Sequence, residues 1–166
     1  MRRAPSPGLV AFLAALGIAG VACHQTRGAP PGGADAAAAD SIVGIVHVVG
    51  VEALPRVTLA PDGGGEALTL VGPPALKRVD GLRVAVIGRL AGTELSVERF
   101  TVVAANGVPA TDGRLVADGA VLYLVTADGA RHPLVRPSPN LWAHAGGRVW
   151  VSGPLDREPV AYGIIE

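Results

Sequence analysis

Cys23 is the only cysteine among the 166 residues, so its thiol has no partner for an internal disulfide bond. An unmodified thiol would also be a liability in an oxidising compartment. The cysteine ends an apolar run over residues 9–21, which itself follows Arg2 and Arg3. A positive start, a short apolar stretch and small residues before a cleavage point are the layout of a secretory signal. The pattern therefore predicts export.

The residues that close the apolar run, Gly20-Val21-Ala22-Cys23, resemble the lipobox of bacterial lipoproteins. Gly20 departs from the leucine that this family prefers, whereas Val21 and Ala22 fit. The resemblance implies a signal peptide over residues 1–22 and a mature chain that begins at Cys23. It also implies acyl chains such as palmitate on that cysteine, and two such chains already anchor a protein stably to a membrane.

The apolar run has two other interpretations. Its 13 residues reach only about 20 Å as a helix, which is short of the roughly 30 Å hydrocarbon core, so the run is not expected to remain as a membrane span. A plain secretory signal cleaved nearby would leave Cys23 as a free thiol or remove it. Lipidation is favoured because it explains both the number and the position of the cysteine.

The residues after Cys23 predict a tether and a location. Residues 24–41 show no hydrophobic periodicity and are rich in Ala, Gly and Pro, so we expect residues 23–41 to be a lipidated N-terminus and a disordered tether. The residue after the cysteine is His24. In Gram-negative lipoproteins, an Asp at this position would argue against sorting to the outer membrane. For a Gram-negative host, the resemblance implies the outer membrane, with the protein facing the periplasm of the cell envelope.

The charge of the mature chain argues against nucleic acid as a partner. Two of the 14 basic residues lie in the signal and all 14 acidic residues lie beyond it, which leaves 12 basic against 14 acidic side chains. A net charge of −2 provides no basic field for a phosphate backbone. The membrane, reached through the lipid, and an envelope protein are the expected partners.

From Ile42 onward, short runs of Val, Leu and Ile alternate with turn signals, and no segment has a helical period. Two stretches alternate most clearly, residues 82–90 and 148–153, and predict half-buried strands. Their expected inward residues are Leu82, Val84, Val86, Leu90, Val149 and Val151. Residues 62–65 and 128–129 are predicted to be hairpin turns.

The chain also repeats itself with an offset of 64 to 65 residues. Residues 70–90 have their counterpart in residues 134–155, and each half is predicted to hold five strands with a Pro-started segment between the third and fourth. This order resembles the OB-fold, a five-stranded Greek-key barrel, and in particular small uncharacterised exported OB-like proteins of bacterial envelopes. We predict an all-β protein with two OB-like domains, residues 42–106 and 107–166. The alternative is a single ten-stranded sandwich or barrel.

Catalytic and metal-binding patterns find no support in the sequence. His47, His132 and His144 stand far apart, and no serine lies in a nucleophile elbow. The glycine-rich residues 62–65 lack the lysine and the helix of a phosphate loop. Most acids, including Asp112 and Asp128, are beside glycine or proline, where turn geometry explains them. We therefore predict no catalytic residue, no metal site, no cofactor and no enzymatic activity.

Aromatic and cationic side chains concentrate in the second half. OB-folds commonly stack ligands on aromatic residues with cations beside them. The candidate ligand-binding residues are Tyr123, His132, Arg148 and Trp150. The alternative is that Trp150 and Tyr123 fill the interface between the halves, and Trp142 is expected to plug a barrel end.

Two functions from different classes follow from these observations. The first is a non-catalytic, lipid-anchored binding or assembly module of the cell envelope. The second is a binder of a small ligand, a saccharide or an anionic metabolite, on the aromatic and arginine patch of the second domain.

Overall fold

A computed structural model of the chain describes residues 39–51 and 54–166. The predicted signal peptide, Cys23 and residues 24–38 of the tether lie outside the described residues. The tether is expected to end at residue 41, whereas the first strand begins at Asp40. Asp40 and Ser41 already belong to the first strand, because they pair with Gly88 and Ile87 of a neighbouring strand.

The described residues form ten strands and two short helices, which confirms the predicted all-β class. The first half contains β1 (Asp40–Val49), β2 (Arg56–Pro61), β3 (Leu68–Val71), a 3₁₀ helix (Pro74–Val79), β4 (Arg83–Ala91) and β5 (Glu94–Ala105). The second half contains β6 (Val108–Asp118), β7 (Val121–Val125), β8 (Arg131–Pro133), α1 (Pro139–Ala143), β9 (Arg148–Ser152) and β10 (Ala161–Ile164).

The strands of the first half pair in a closed ring. β1 pairs with β2, β2 with β3, β5 with β4 and β4 with β1, all antiparallel, whereas β3 and β5 are parallel. The 3₁₀ helix lies between β3 and β4 in the chain. Each strand of this half therefore has a hydrogen-bonded neighbour on both sides.

The strands of the second half pair in the same order, except at one place. β6 pairs with β7 and β9, β7 with β8, and β9 with β10. The described residues show no ladder between β8 and β10. Near that gap, Ser138 accepts a hydrogen bond from the backbone N–H of Leu141 and donates one to the Tyr162 hydroxyl, so side chains connect α1 to β10.

A short ladder joins the two halves into one ten-stranded sheet. It consists of the pairs Ala104 with Pro109 and Ala105 with Val108. The buried side chains nevertheless form two separate clusters, each made almost entirely of residues from one half. Ile165, which follows β10, is only 1% exposed and belongs to the cluster of the first half. The second half thus contributes a side chain to the first core.

The predicted strand faces agree with the structure except at one residue. Val84 and Val149 are fully buried and Val151 is nearly so, as the alternation predicts. The expectation that Leu90 points inward is wrong, since it is 42% exposed. The ladder between β1 and β4 ends at Gly88, so Leu90 extends past the closed ring.

Both predicted hairpin turns connect paired strands. Residues 62–65 lie between β2 and β3, and residues 128–129 lie between β7 and β8. Gly129 has a φ of +86°, a conformation that favours glycine. Across the described ranges, no helix has both the length and the hydropathy that crossing a bilayer requires.

Candidate ligand groove

A groove of about 470 Å³ lies where β5 of the first half meets β6, β7 and β9 of the second. We call it the junction groove. Its charged, aromatic and hydroxyl-bearing residues include Arg99, Phe100, Asp112, Arg114, Thr126 and Arg148. Concave clefts of this kind, lined by apolar walls with a few polar groups, are where small ligands commonly bind.

Asp112 and Arg148 form a bidentate ion pair on the floor of the junction groove. Arg148 Nε lies 2.9 Å from Asp112 Oδ1, and Nη2 lies 2.7 Å from Oδ2. The Asp112 side chain is 5% exposed and that of Arg148 is 24% exposed. A guanidinium suits this position because its planar donors match both carboxylate oxygens.

The same two side chains bond to the backbone of the first half. Asp112 Oδ2 accepts a hydrogen bond from Val102 N at 3.0 Å, and Arg148 Nη2 donates one to the Phe100 carbonyl oxygen at 2.6 Å. The guanidinium carbon also lies 4.5 Å from the centroid of the Phe100 ring, which is a favourable cation–π distance. We call Phe100, Val102, Asp112 and Arg148 the junction network. It satisfies a buried charge pair and connects the two halves.

Two further arginines lie at the rim of the junction groove. Arg99 and Arg114 are both exposed. Arg114 donates from Nη1 to the Gly146 carbonyl oxygen, and it is directly opposite Arg148 in the ladder between β6 and β9. Three guanidinium groups therefore line the groove together with a single carboxylate.

A second groove of about 450 Å³ adjoins the first. It shares Thr101, Asp112, Thr126 and Ala127 with the junction groove, and it adds His132 and Asp128. The Thr126 hydroxyl and the Ala130 N–H both donate to Asp128, and these hydrogen bonds lower the pKa of its carboxyl. The turn between β7 and β8 is thus held by a charged side chain.

The structure does not bring the four predicted ligand residues into one cavity. Arg148 lines the junction groove and His132 lines the adjoining one, while neither groove is lined by Tyr123 or Trp150. The Tyr123 ring is covered by Arg131, whose guanidinium carbon lies 4.4 Å from the ring centroid.

The two tryptophans of the second half pack against the hydrophobic clusters. Trp150 is half-buried against the cluster of the first half, and its indole lies over Gly163, where a Cβ would come within 2.6 Å of Nε1. This position agrees with the interface interpretation of Trp150. Trp142, on α1, packs against the cluster of the second half.

Asp112 is the site residue that the sequence interpretation missed. The expectation that turn geometry explains it is wrong, because Asp112 lies inside β6 and is buried. The neighbouring Gly113 suggested a turn. Gly113 is instead required for close packing, since a Cβ there would lie 2.6 Å from the Val125 carbonyl oxygen. One feature of the sequence could have identified Asp112 as a site residue: it is an acidic residue inside a stretch that otherwise fits a β-strand.

Within residues 39–51 and 54–166, no three His, Cys, Asp or Glu side chains are grouped closely enough to hold a metal ion. No protein-family model matches the chain, and none of the curated proteins or solved structures compared with it matches either.

Proposed function

We propose that this protein is a non-catalytic, lipid-anchored binding or assembly module of the bacterial cell envelope, built from two tandem OB-like units. The observation that carries the proposal is the single cysteine, placed where an apolar run of 13 residues ends in small residues. Lipid on Cys23 would hold the β-rich part, which begins at Asp40, close to a membrane surface.

The strand pairing supports two units of the same type. The first half is a closed ring of five strands with a helix between the third and fourth, which is the arrangement implied by the OB-fold resemblance. The second half repeats four of these five pairings and also has its helix between its third and fourth strands. Separate hydrophobic clusters fit two units better than one ten-stranded barrel.

Two glycines at corresponding positions add to this argument. Gly44 lies in the first strand of the first half, and a Cβ there would be 2.3 Å from the Ala60 carbonyl oxygen of the next strand. Gly113 lies in the first strand of the second half, against the Val125 carbonyl oxygen of its own next strand. The same close approach at the same place favours a structural repeat.

The buried polar side chains support a non-catalytic role. Among the described residues these are Asp112 and Ser152. Asp112 accepts hydrogen bonds from Arg148 and Val102, and the Ser152 hydroxyl donates to the Ala161 carbonyl oxygen. Because both groups have structural partners, neither is poised as a general base or as an activated nucleophile.

Metabolic labelling with palmitate, followed by membrane fractionation, tests the anchor. The unchanged chain should carry label and sediment with membranes. Cys23→Ala should carry none and should become soluble or keep its signal, whereas the adjacent control His24→Ala should behave like the unchanged chain. Membrane association that persists without Cys23 would show that the proposed lipid anchor is wrong.

A pull-down of the lipidated protein from detergent-solubilised membranes tests the assembly role. The expected result is a reproducible protein partner from the cell envelope.

Binding of a small anionic metabolite is a second candidate function. Arg148 favours it, because this arginine lines a groove in which arginines outnumber carboxylates by three to one. Tyr123 and Trp150 are engaged elsewhere, by Arg131 and by the first core, so stacking of a saccharide on both aromatic rings has less support.

A further inference from the structure

We propose that the junction groove binds a small organic dianion, with a phosphate or a pair of carboxylates at the arginines and an apolar body against the groove wall. The inference rests on the second candidate function and is independent of the lipid anchor. It assigns the ligand to Arg99, Arg114 and Arg148, two of which the sequence interpretation did not consider.

Arg148 is held ready to bind an anion. Its hydrogen bonds to Asp112 and to the Phe100 carbonyl oxygen use Nε and Nη2. Among the described residues, Nη1 has no acceptor and so lies outside the junction network. Because the guanidinium is already fixed by Asp112 and by the Phe100 ring, binding through Nη1 would cost little side-chain entropy.

The placement of Arg114 gives a second reason to expect an anion. Arg114 and Arg148 are directly opposite each other in the ladder between β6 and β9. Like charges at directly opposite positions destabilise a sheet. Asp112 neutralises one of the two charges, and an anion in the groove would neutralise the other. Ligand binding would therefore relieve a repulsion that the fold itself creates.

Arg99 adds a positive charge that no acidic side chain among the described residues pairs with. Four other surface arginines, Arg83, Arg89, Arg131 and Arg136, have an acidic partner within 4.0 Å. Across the described residues, neither Arg99 nor Arg114 has one, and the same holds for the exposed Arg56, Arg78 and Arg157. Arg99 and Arg114 differ from those three because they lie together at the junction groove. With Asp112 paired to Arg148, the rim keeps two uncompensated positive charges, which matches a doubly charged anion.

The rest of the wall suits an apolar body. Val125 and Ala127 line the groove beside the Phe100 ring. A volume of about 470 Å³ falls within the usual range for small-molecule sites. An aromatic or aliphatic dianion would contact these side chains, whereas inorganic phosphate would use the arginines alone.

Isothermal titration of phenyl phosphate into the full chain, in neutral-detergent micelles at low salt and about pH 8, tests the proposal. The phosphate is then doubly charged, because its second pKa is about 6. The unchanged chain should bind phenyl phosphate more tightly than inorganic phosphate. Arg99→Gln/Arg114→Gln should lower the affinity by about tenfold or more, since charge-assisted hydrogen bonds are lost.

Arg56→Gln/Arg78→Gln is the matched control, because it removes the same charge from exposed positions outside the junction groove. It should leave the affinity within about twofold, because neither arginine lines the groove and no direct hydrogen bond to the ligand is lost. Absence of binding to the unchanged chain would overturn both this site and the second candidate function. Binding that the groove variant leaves unchanged would overturn the site alone. A loss of this binding in Arg131→Gln would then place the ligand beside Arg131 and the Tyr123 ring. Equal affinity for inorganic phosphate would overturn the role of the apolar wall.

Discussion

Arg148 donates to both carboxylate oxygens of Asp112, at 2.9 and 2.7 Å, on the strand ladder between β6 and β9. These two side chains also bond to the backbone of Phe100 and Val102 on β5. The backbone ladder between β5 and β6 contains only two residue pairs. Side chains therefore account for much of the polar connection between the halves.

Breaking this pair should destabilise the protein strongly. Arg148→Met leaves the Asp112 carboxylate buried with only the Val102 N–H as a donor, and removing one partner of a buried pair costs about 3–5 kcal/mol. We expect a loss near the lower end of that range, because Arg148 is 24% exposed. Urea denaturation followed by circular dichroism measures it. Arg148→Met/Asp112→Leu should recover part of the loss.

Arg89→Met is the comparison for the buried pair. The ion pair between Arg89 and Glu98 is exposed on both sides, with 67% and 51% of the side chains accessible. Such pairs contribute little, so the midpoint should hardly move. If Arg148→Met and Arg89→Met had equal effects, the junction network would have no structural role.

The parts of the fold that sequence predicted are those that depend on local pattern. Burial of Val149 and Val151 follows from strict alternation along a single strand, and the turn at Asp128 and Gly129 follows from the chemistry of two adjacent residues. Neither feature requires knowledge of which strand is the neighbour.

The parts that sequence did not predict depend on register between distant strands. Asp112 and Arg148 are 36 residues apart, and they meet only because β6 and β9 are aligned as they are. Leu90 follows the alternation of its strand but lies beyond the last pair between β1 and β4. Local periodicity shows neither which residues of distant strands are paired nor where a ladder between two strands ends.

Ile165 should stabilise the protein as a core residue although it is the penultimate residue of the chain. Its side chain is 1% exposed and packs in the cluster of the first half. Ile165→Ala removes buried methyl groups and leaves a cavity, at a cost of about 2–5 kcal/mol in urea denaturation. Val160→Ala, at a position that is 69% exposed, should change the unfolding free energy by less than about 0.5 kcal/mol. Similar effects of the two substitutions on the unfolding free energy would show that Ile165 does not contribute to the core as a buried residue should.

Gly44 and Gly113 should not tolerate a methyl group. A Cβ would lie 2.3 Å from the Ala60 carbonyl oxygen in one case and 2.6 Å from that of Val125 in the other, and these backbone atoms belong to paired strands. Gly44→Ala and Gly113→Ala should each lower the melting temperature in circular dichroism. Gly63→Ala is the control, because nothing lies within 4 Å of a Cβ there. A melting temperature that is unchanged in both strand variants would contradict the close approach on which the repeat argument depends.

Asp128 should contribute a pH-dependent part of the stability of the turn between β7 and β8. Hydrogen bonds from Thr126 and the Ala130 N–H lower the pKa of its carboxyl below the value of about 3.9 in an unfolded chain. The contribution is therefore complete above about pH 4 and is lost as the pH falls through the lower pKa of the folded state. Asp128→Asn should melt at a lower temperature than the unchanged chain near neutral pH, and the difference should shrink in acid. Asp156→Asn, which removes a carboxylate from an exposed position beyond β9, is the control and should leave the melting temperature near neutral pH almost unchanged. A difference at Asp128 that grows as the pH falls would reverse the assigned sign and exclude a stabilising carboxylate in this turn.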